Sequence, residues 1–201
     1  MKLVKGFIAI SMVLVAWTGA AQAGANAGAS LVVHVGPHST KNACTAVPSS
    51  CQGVNTVGSV GNFYDLYVCV ANFNDSTGVA GVEFGVTYNQ ATSQGVDIFE
   101  WTKCGDQEFA SAGWPQSGTG DIVTWVTNSN CTNTHQALRV AGRFYIGVYS
   151  PDRFALTVRP VSGRVKVANC SSSEDDLTDN AQNPLGFADF GTGNGYNPCL
   201  N

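Results

Sequence analysis

Cysteine is the residue type with the most sharply defined chemistry in this 201-residue chain, which contains seven of them. Their spacing includes no C-x-x-C pair, which disfavours a structural zinc site and favours disulfide bonds. Because the number is odd, at least one thiol lacks a partner within the chain. Cys69 lies in the strand-like run YDLYVCV, where a buried thiol acts as a small hydrophobic residue. We therefore expect Cys69 to be free and disulfides at Cys44, Cys51, Cys104, Cys131, Cys170 and Cys199.

The pairing of these six cysteines is open, because six cysteines permit about fifteen connectivities. If each cysteine pairs with a neighbour in sequence, three disulfide-closed loops result. Cys44 would pair with Cys51 across a short Pro-containing segment, and Cys104 with Cys131 across a Gly-rich, Trp-containing stretch. Cys170 would pair with Cys199 across the C-terminal segment. Each bridge would contribute about 2–4 kcal/mol, mainly by restricting the unfolded chain.

Aromatic side chains are the strongest indication of a ligand, because sugars and protein partners both pack on exposed rings. Three tyrosines fall on the strand positions opposite the predicted core, and three tryptophans cluster around a long connection at 103–120. The alternative is that the tryptophans close one end of the fold and the tyrosines cover a sheet beneath the C-terminal segment. We predict ligand binding by Tyr67, Tyr145, Tyr149, Trp101, Trp114 and Trp125.

Catalytic chemistry is only weakly indicated. A serine hydrolase needs a nucleophile, a base and a group that orients the base. The chain has just three histidines, His34, His38 and His135, and no G-x-S-x-G motif. A glycoside hydrolase needs two carboxylates across a cleft, and four carboxylates lie close together in sequence. We interpret them as solvated strand ends and loop residues, and so predict no enzyme; they are Asp97, Glu100, Asp106 and Glu108.

Metal binding has two weak candidates. His34 and His38 flank a Gly-Pro turn, where surface histidines need no ligand. The acidic run at 174–176 could offer oxygens to calcium, but it lacks the EF-hand spacing and is more typical of a solvated linker. We predict no metal and no cofactor, with calcium at the acidic run as the alternative.

The elements that must position these residues are β-strands. Period-two alternation of apolar residues predicts about eight of them, most with one apolar and one mixed face, which is typical of antiparallel sheets. Turn-forming residues separate several of the segments. The sequence therefore predicts an all-β, antiparallel β-sandwich, jelly-roll or immunoglobulin-like, with disulfides. Its strands are expected at 31–35, 64–70, 82–88, 96–101, 121–127, 143–149, 153–159 and 164–167.

An export signal is expected at 1–23, where Lys2 and Lys5 precede an apolar run and the small-residue site Ala21-Gln22-Ala23. The run is too short to span a bilayer comfortably. We expect a sandwich domain at 24–170, a polar tail at 171–201 tied by a disulfide, and a secreted protein, extracellular or periplasmic. Loss of two lysines would move the net charge from −4 to −6, which repels phosphate and disfavours nucleic acid as a partner.

One segment resembles a known class. Residues 64–89 read YDLYVCVANFNDSTGVAGVEFGVTYN, in which a Val- and Tyr-rich strand leads through a polar loop to G-x-x-G-x-x-F-x-x-x-Y. This segment is similar to a strand pair of cohesin-type and carbohydrate-binding-module-type sandwiches; the matching residues are Gly78, Gly81, Phe84 and Tyr88. The resemblance implies an extracellular jelly-roll-like sandwich for adhesion or glycan contact. No ligand-contacting residue of those families can be matched here.

These observations together predict a secreted, non-catalytic binding or adhesion domain, whose partner is a polysaccharide or an extracellular protein. Two alternatives remain at this point. One is a small secreted glycoside hydrolase that uses the loop carboxylates. The other is an extracellular structural subunit that forms homo-oligomers through a sheet edge or the odd thiol.

Overall fold

The computed structural model describes residues 24–39, 43–126, 137–180 and 184–201. The expected export signal at 1–23, Cys131 and His135 lie outside the described residues. Among the helices of the described part, none has the length and apolar character needed to cross a bilayer.

Strands dominate the described residues, with three short 3₁₀ helices at Ala43–Thr45, Cys51–Gly53 and Pro198–Leu200. In chain order the strands are β1 (Ser30–Pro37), β2 (Val57–Gly58), β3 (Phe63–Ala71), β4 (Gly81–Thr87), β5 (Val96–Lys103), β6 (Gln107–Glu108), β7 (Thr119–Thr124), β8 (Leu138–Val148), β9 (Asp152–Thr157), β10 (Lys166–Ala168), β11 (Glu174–Asp176) and β12 (Phe187–Phe190).

The strands form two sheets. The four-stranded sheet has the order β1-β3-β8-β5 and is antiparallel throughout. The eight-stranded sheet has the order β11-β10-β4-β9-β12-β2, with β7 pairing both β4 and β6. Its one parallel pair among the described strands is β12 with β2. The predicted all-β sandwich is confirmed. The predicted number of strands was too low, because the four missed strands, β2, β6, β11 and β12, have only two to four residues and show little alternation.

The main core lies between the two sheets. Alternate residues of β1, β3 and β8 point inward from the four-stranded sheet, and alternate residues of β4 and β9 meet them from the other side. Burial of these β-branched and aromatic side chains is the main stabilising term of the sandwich. The largest of the fully buried side chains in this core are Phe84, Phe144, Phe154, Phe190, Leu31, Leu66, Ile146 and Leu177.

A second apolar cluster lies on the outer face of the four-stranded sheet, where the alternation alone predicts solvent. Two parts of the chain cover it: the segment 43–55, called here the covering segment, and the C-terminal 3₁₀ helix. Val47 and Val54 of the covering segment pack against the cluster. This part of the outer face is therefore shielded from solvent. The buried cluster consists of Val32, Tyr67, Cys69, Ala71, Leu138, Val140 and Cys199.

Two disulfides hold the covering segment and the C-terminal 3₁₀ helix in place. Cys44 pairs with Cys104 and Cys51 pairs with Cys199, each with a Cα–Cα distance of 5.5 Å. The three sequence-local pairings are therefore wrong, because Cys44 and Cys51 each bridge the covering segment to a distant part of the chain rather than to each other. Cys170 is also disulfide-bonded. Among the described cysteines Cys69 is free and buried, as expected.

The segment expected to be a polar tail, 171–201, takes part in the sandwich. It supplies β11 at one end of the eight-stranded sheet and β12 between β9 and β2. Leu185 also forms a parallel bridge with Leu31 at the edge of β1. Its end is held by the Cys51–Cys199 disulfide.

Candidate binding surface

Beyond the covering segment, the outer face of the four-stranded sheet carries a group of exposed and partly exposed rings. We call Phe63, Phe99, Tyr145 and His38 the ring patch. Phe63 begins β3, Phe99 lies in β5, Tyr145 lies in β8, and His38 follows β1. Phe63 is 51% exposed and Phe99 is 48% exposed, which is unusual for two phenylalanines placed side by side.

The rings of the patch are in mutual contact. Ring centroids are 6.0 Å apart for Phe63 and Phe99, 6.2 Å for Phe63 and Tyr145, and 5.2 Å for Phe99 and Tyr145. The three pairs are tilted by 41°, 39° and 52°, so the rings form an uneven surface rather than a flat one. The His38 imidazole stacks on Tyr145 at 3.9 Å.

Two local backbone features produce this arrangement. A β-bulge at Phe99 inserts an extra residue into β5 between Ile98 and Glu100, so Phe99 has no partner residue in β8. Gly147 lies opposite Phe63 in β8. A Cβ atom on Gly147 would lie only 2.9 Å from Phe99 and 3.1 Å from Phe63, so the glycine allows both rings to lie close over the backbone.

A buried charged network supports the patch from one side. The fully buried Asp65 carboxylate accepts hydrogen bonds from Arg143 Nη1 at 2.7 Å, His38 Nδ1 at 2.9 Å and the Ser39 backbone N–H at 2.8 Å. Arg143 also lies 3.6 Å from the exposed carboxylate of Glu100. The network fixes residues 38–39 on the sheet and holds the imidazole against Tyr145. Its charge-assisted hydrogen bonds compensate the desolvation of the buried pair.

The structure separates the six rings predicted from sequence. Tyr145 belongs to the ring patch, and Tyr149 is 43% exposed beyond the end of β8. Trp101 and Trp114 are half-buried and pack against the main core. Tyr67 and Trp125 are buried, so a ligand cannot stack on them, which corrects the prediction for these two residues. Burial and the nearby Asp65 charge raise the pKa of Tyr67 to about 12.

Tyr67 illustrates why that prediction failed. Its strand position does place it on the outer face, as the alternation indicates, but the covering segment lies over that half of the face. Conversely, sequence reasoning missed Phe63, Phe99 and His38. The signal available for Phe99 was the break in alternation within VDIFEW, where the apolar phase set by Val96 and Ile98 shifts by one residue.

The carboxylates of the hydrolase alternative are engaged at separate places. Asp97 accepts the Ser93 backbone N–H at 3.0 Å, and Asp106 accepts that of Val126 at 2.7 Å. Glu100 faces Arg143 on the outer face, whereas Glu108 accepts the Trp101 indole N–H at 2.6 Å. Within the described residues, no group of three or more His, Cys, Asp or Glu side chains could hold a metal ion.

Glu108 meets a carboxyl group that sequence reasoning did not single out. The fully buried Asp121 on β7 faces Glu108, and its pKa is raised to about 8 by burial and by the hydrogen bond and charge of Glu108.

The free thiol of Cys69 is also inaccessible to solvent. It is buried beneath the cover, and burial raises its pKa, so it is not available for a disulfide between folded chains.

No family model matches this chain, and no curated protein matches it. Among solved structures it is similar to a cohesin module from a family 33 glycoside hydrolase of Clostridium perfringens. The TM-score is 0.46 at 13% identity, over 80% of this chain and 95% of that one. It is also similar to the sixth cohesin of scaffoldin B from Acetivibrio cellulolyticus, solved with a Cel5 dockerin. There the TM-score is 0.45 at 7% identity, over 73% and 91% of the two chains. These solved structures are cohesins, one of the classes that residues 64–89 resemble. At these TM-scores and identities, the likeness carries no conclusion about activity or partner.

Proposed function

We propose that this chain is a non-catalytic binding module that works outside the cytoplasm and holds a protein partner on the ring patch. The observation that carries the proposal is the contact among three rings, two of them about half exposed, on a rigid sheet face. Contiguous exposed apolar patches bordered by polar groups mark interaction sites in soluble proteins. Here the exposed Glu100 carboxylate borders the patch, and the His38 imidazole is a polar group within it.

The tilt of the rings favours a protein over a polysaccharide at this patch. A sugar chain stacks best on rings that share a plane, and these rings are inclined to one another by 39° to 52°. An uneven cluster of exposed aromatic side chains is instead typical of the energetic centre of a protein–protein interface. The disulfides support a location in an oxidising compartment.

The test is a screen of the oxidised chain against an array of extracellular proteins, followed by Kd measurement for each protein bound. Phe63→Ser and Phe99→Ser should each weaken binding by about tenfold or more, because a buried aromatic anchor contributes roughly 2 kcal/mol. Val161→Ser is the matched control, since Val161 is 72% exposed and lies on a turn after β9, outside the patch. Equal binding by Phe99→Ser and the parent, or no bound protein, would count against the proposal.

A further inference from the structure

A groove lies beside β5, next to the ring patch. Its volume is 460 Å³, within the usual range of about 300–1,000 Å³ for small-ligand sites. One wall is the first half of β5, including Asp97 and Phe99, and Gln116 closes the groove from the connection between β6 and β7. Tyr88, Gln90 and Thr92, which follow β4, also line the groove.

Hydrogen bonds hold the groove in a fixed shape. The Tyr88 hydroxyl donates to the Pro115 carbonyl at 3.1 Å, and the Tyr88 backbone N–H donates to the Ser117 hydroxyl at 3.0 Å. The Tyr88 ring stacks on Phe154, with centroids 5.6 Å apart. Ser93 N–H donates to Asp97, which orients that carboxylate. A ligand would therefore meet a preorganised surface, which reduces the entropy lost on binding.

The polar groups of the groove are mainly neutral. Gln90 Oε1 accepts the Ser117 backbone N–H at 3.1 Å, so the NH₂ end of the Gln90 amide is left to donate to a ligand. Gln116 and Thr92 add a second amide and a hydroxyl, and Asp97 adds an acceptor. The described lining contains no Lys, Arg or His. Phosphate, sulfate and carboxylate ligands would thus meet one carboxylate and no cation.

We propose that this groove binds a short neutral oligosaccharide. Sugar hydroxyls accept from amide N–H groups and donate to a carboxylate, and the apolar faces of sugar rings pack on aromatic side chains such as Phe99. The lining offers these three kinds of contact together. An extended peptide along the edge of β5 would need the same space, and it is the competing occupant in the experiment.

The groove is separable from the ring patch although Phe99 borders both. Gln90 and Gln116 line only the groove, whereas Phe63 and Tyr145 belong only to the patch. The inference goes beyond the proposed function, and either can fail without the other.

The experiment uses the oxidised full chain on an array of neutral oligosaccharides, with sulfated and uronic-acid glycans and extended peptides beside them. Binding is then measured by calorimetry for the tightest glycan. Gln90→Glu retains the oxygen that accepts from Ser117 but replaces the donating NH₂ group, and Gln116→Glu makes the same change nearby. Each should weaken glycan binding by about tenfold or more. Gln107→Glu adds the same charge at an exposed site on β6 and should bind like the parent.

Binding of a neutral glycan that Gln90→Glu and Gln116→Glu weaken, and that Phe63→Ala leaves unchanged, supports the groove. Three results would overturn it. The parent binds no neutral glycan, or both glutamate variants bind the glycan as tightly as the parent does, or a peptide binds the parent and the same substitutions weaken that binding. Loss of glycan binding in Phe63→Ala with full binding in Gln90→Glu would move the sugar to the ring patch. That result would contradict both the groove and the assignment of the patch to a protein.

Discussion

The buried carboxyl of Asp121 should make the stability of this protein depend on pH in a direction opposite to that of an ordinary salt-bridged carboxylate. Asp121 Oδ1 accepts the Ile122 backbone N–H at 2.8 Å, but no donor among the described residues reaches the buried Oδ2. Glu108, which it faces, already accepts from Trp101 at 2.6 Å. A proton on Asp121 gives Oδ2 a hydrogen-bond partner and removes the repulsion between two facing carboxylates, because the protonated Oδ2 can donate to the Glu108 carboxylate.

The sign follows from the pKa of Asp121, which is raised from 3.8 to about 8 by burial and by the hydrogen bond and charge of Glu108. The Ile122 backbone N–H and the Arg159 charge act in the opposite direction but do not cancel this rise. The folded chain therefore retains a proton that the unfolded chain loses above about pH 4. The stabilisation is fully present below that pH and is lost progressively as the pH rises through about 8. The slope is at most about 1.4 kcal/mol per pH unit, which gives an upper limit of roughly 4 kcal/mol between pH 5 and pH 8.

Asp121→Asn should remove this dependence, because the Asn amide can accept from Ile122 and donate to Glu108 without a titrating proton. Urea unfolding of the oxidised chain at several pH values measures the effect as the difference in unfolding free energy between variant and parent. The variant should gain stability relative to the parent as the pH rises from 5 to 8. Asp75→Asn, at an exposed loop position, is the matched control and should run parallel to the parent.

Parallel stability curves for the parent and Asp121→Asn over that range would refute the reasoning. Glu108→Gln separates the causes of the raised pKa. It removes the charge of Glu108 but leaves the burial of Asp121, so the decline in stability should persist and move to lower pH. No change in Glu108→Gln would mean that the two carboxyl groups do not share a proton.

Three further expectations follow from the same contacts. The double substitution Cys51→Ser/Cys199→Ser should lower the unfolding free energy by about 2–5 kcal/mol in urea titrations, since it removes a cross-link that restricts the unfolded chain; an unchanged midpoint would contradict this. Gly147→Ala should displace the exposed rings above it at a cost below about 1 kcal/mol, so near-ultraviolet circular dichroism should change while the urea midpoint barely moves. Asp65→Asn leaves Arg143 without its buried anionic partner and should cost about 3–5 kcal/mol at neutral pH; a loss under 1 kcal/mol would show that the network is replaceable.

The sandwich itself could be predicted because each long strand buries alternate residues. The alternation at 64–70 corresponds to β3, and that at 31–35 to β1, with one or two residues missing at each end. The short strands β2, β6, β11 and β12 could not be found this way, because two to four residues contain too little of a period. The disulfides were equally hidden, since Cys51 and Cys199 are 148 positions apart and spacing does not indicate which distant cysteine is near.

The binding surface was harder to predict because strand alternation distinguishes the two faces of a sheet but not two halves of one face. Tyr67 and Phe63 lie on the same face of β3, four positions apart, yet one is buried and the other is half exposed. Asp65 lies between them and fixes Ser39, close to where the covering segment begins. The cover then spreads over Tyr67 and leaves Phe63 open. The location of the ring patch is thus set by the path of the covering segment, which two disulfides hold in place. That path depends on contacts between distant parts of the chain, which strand alternation does not reveal.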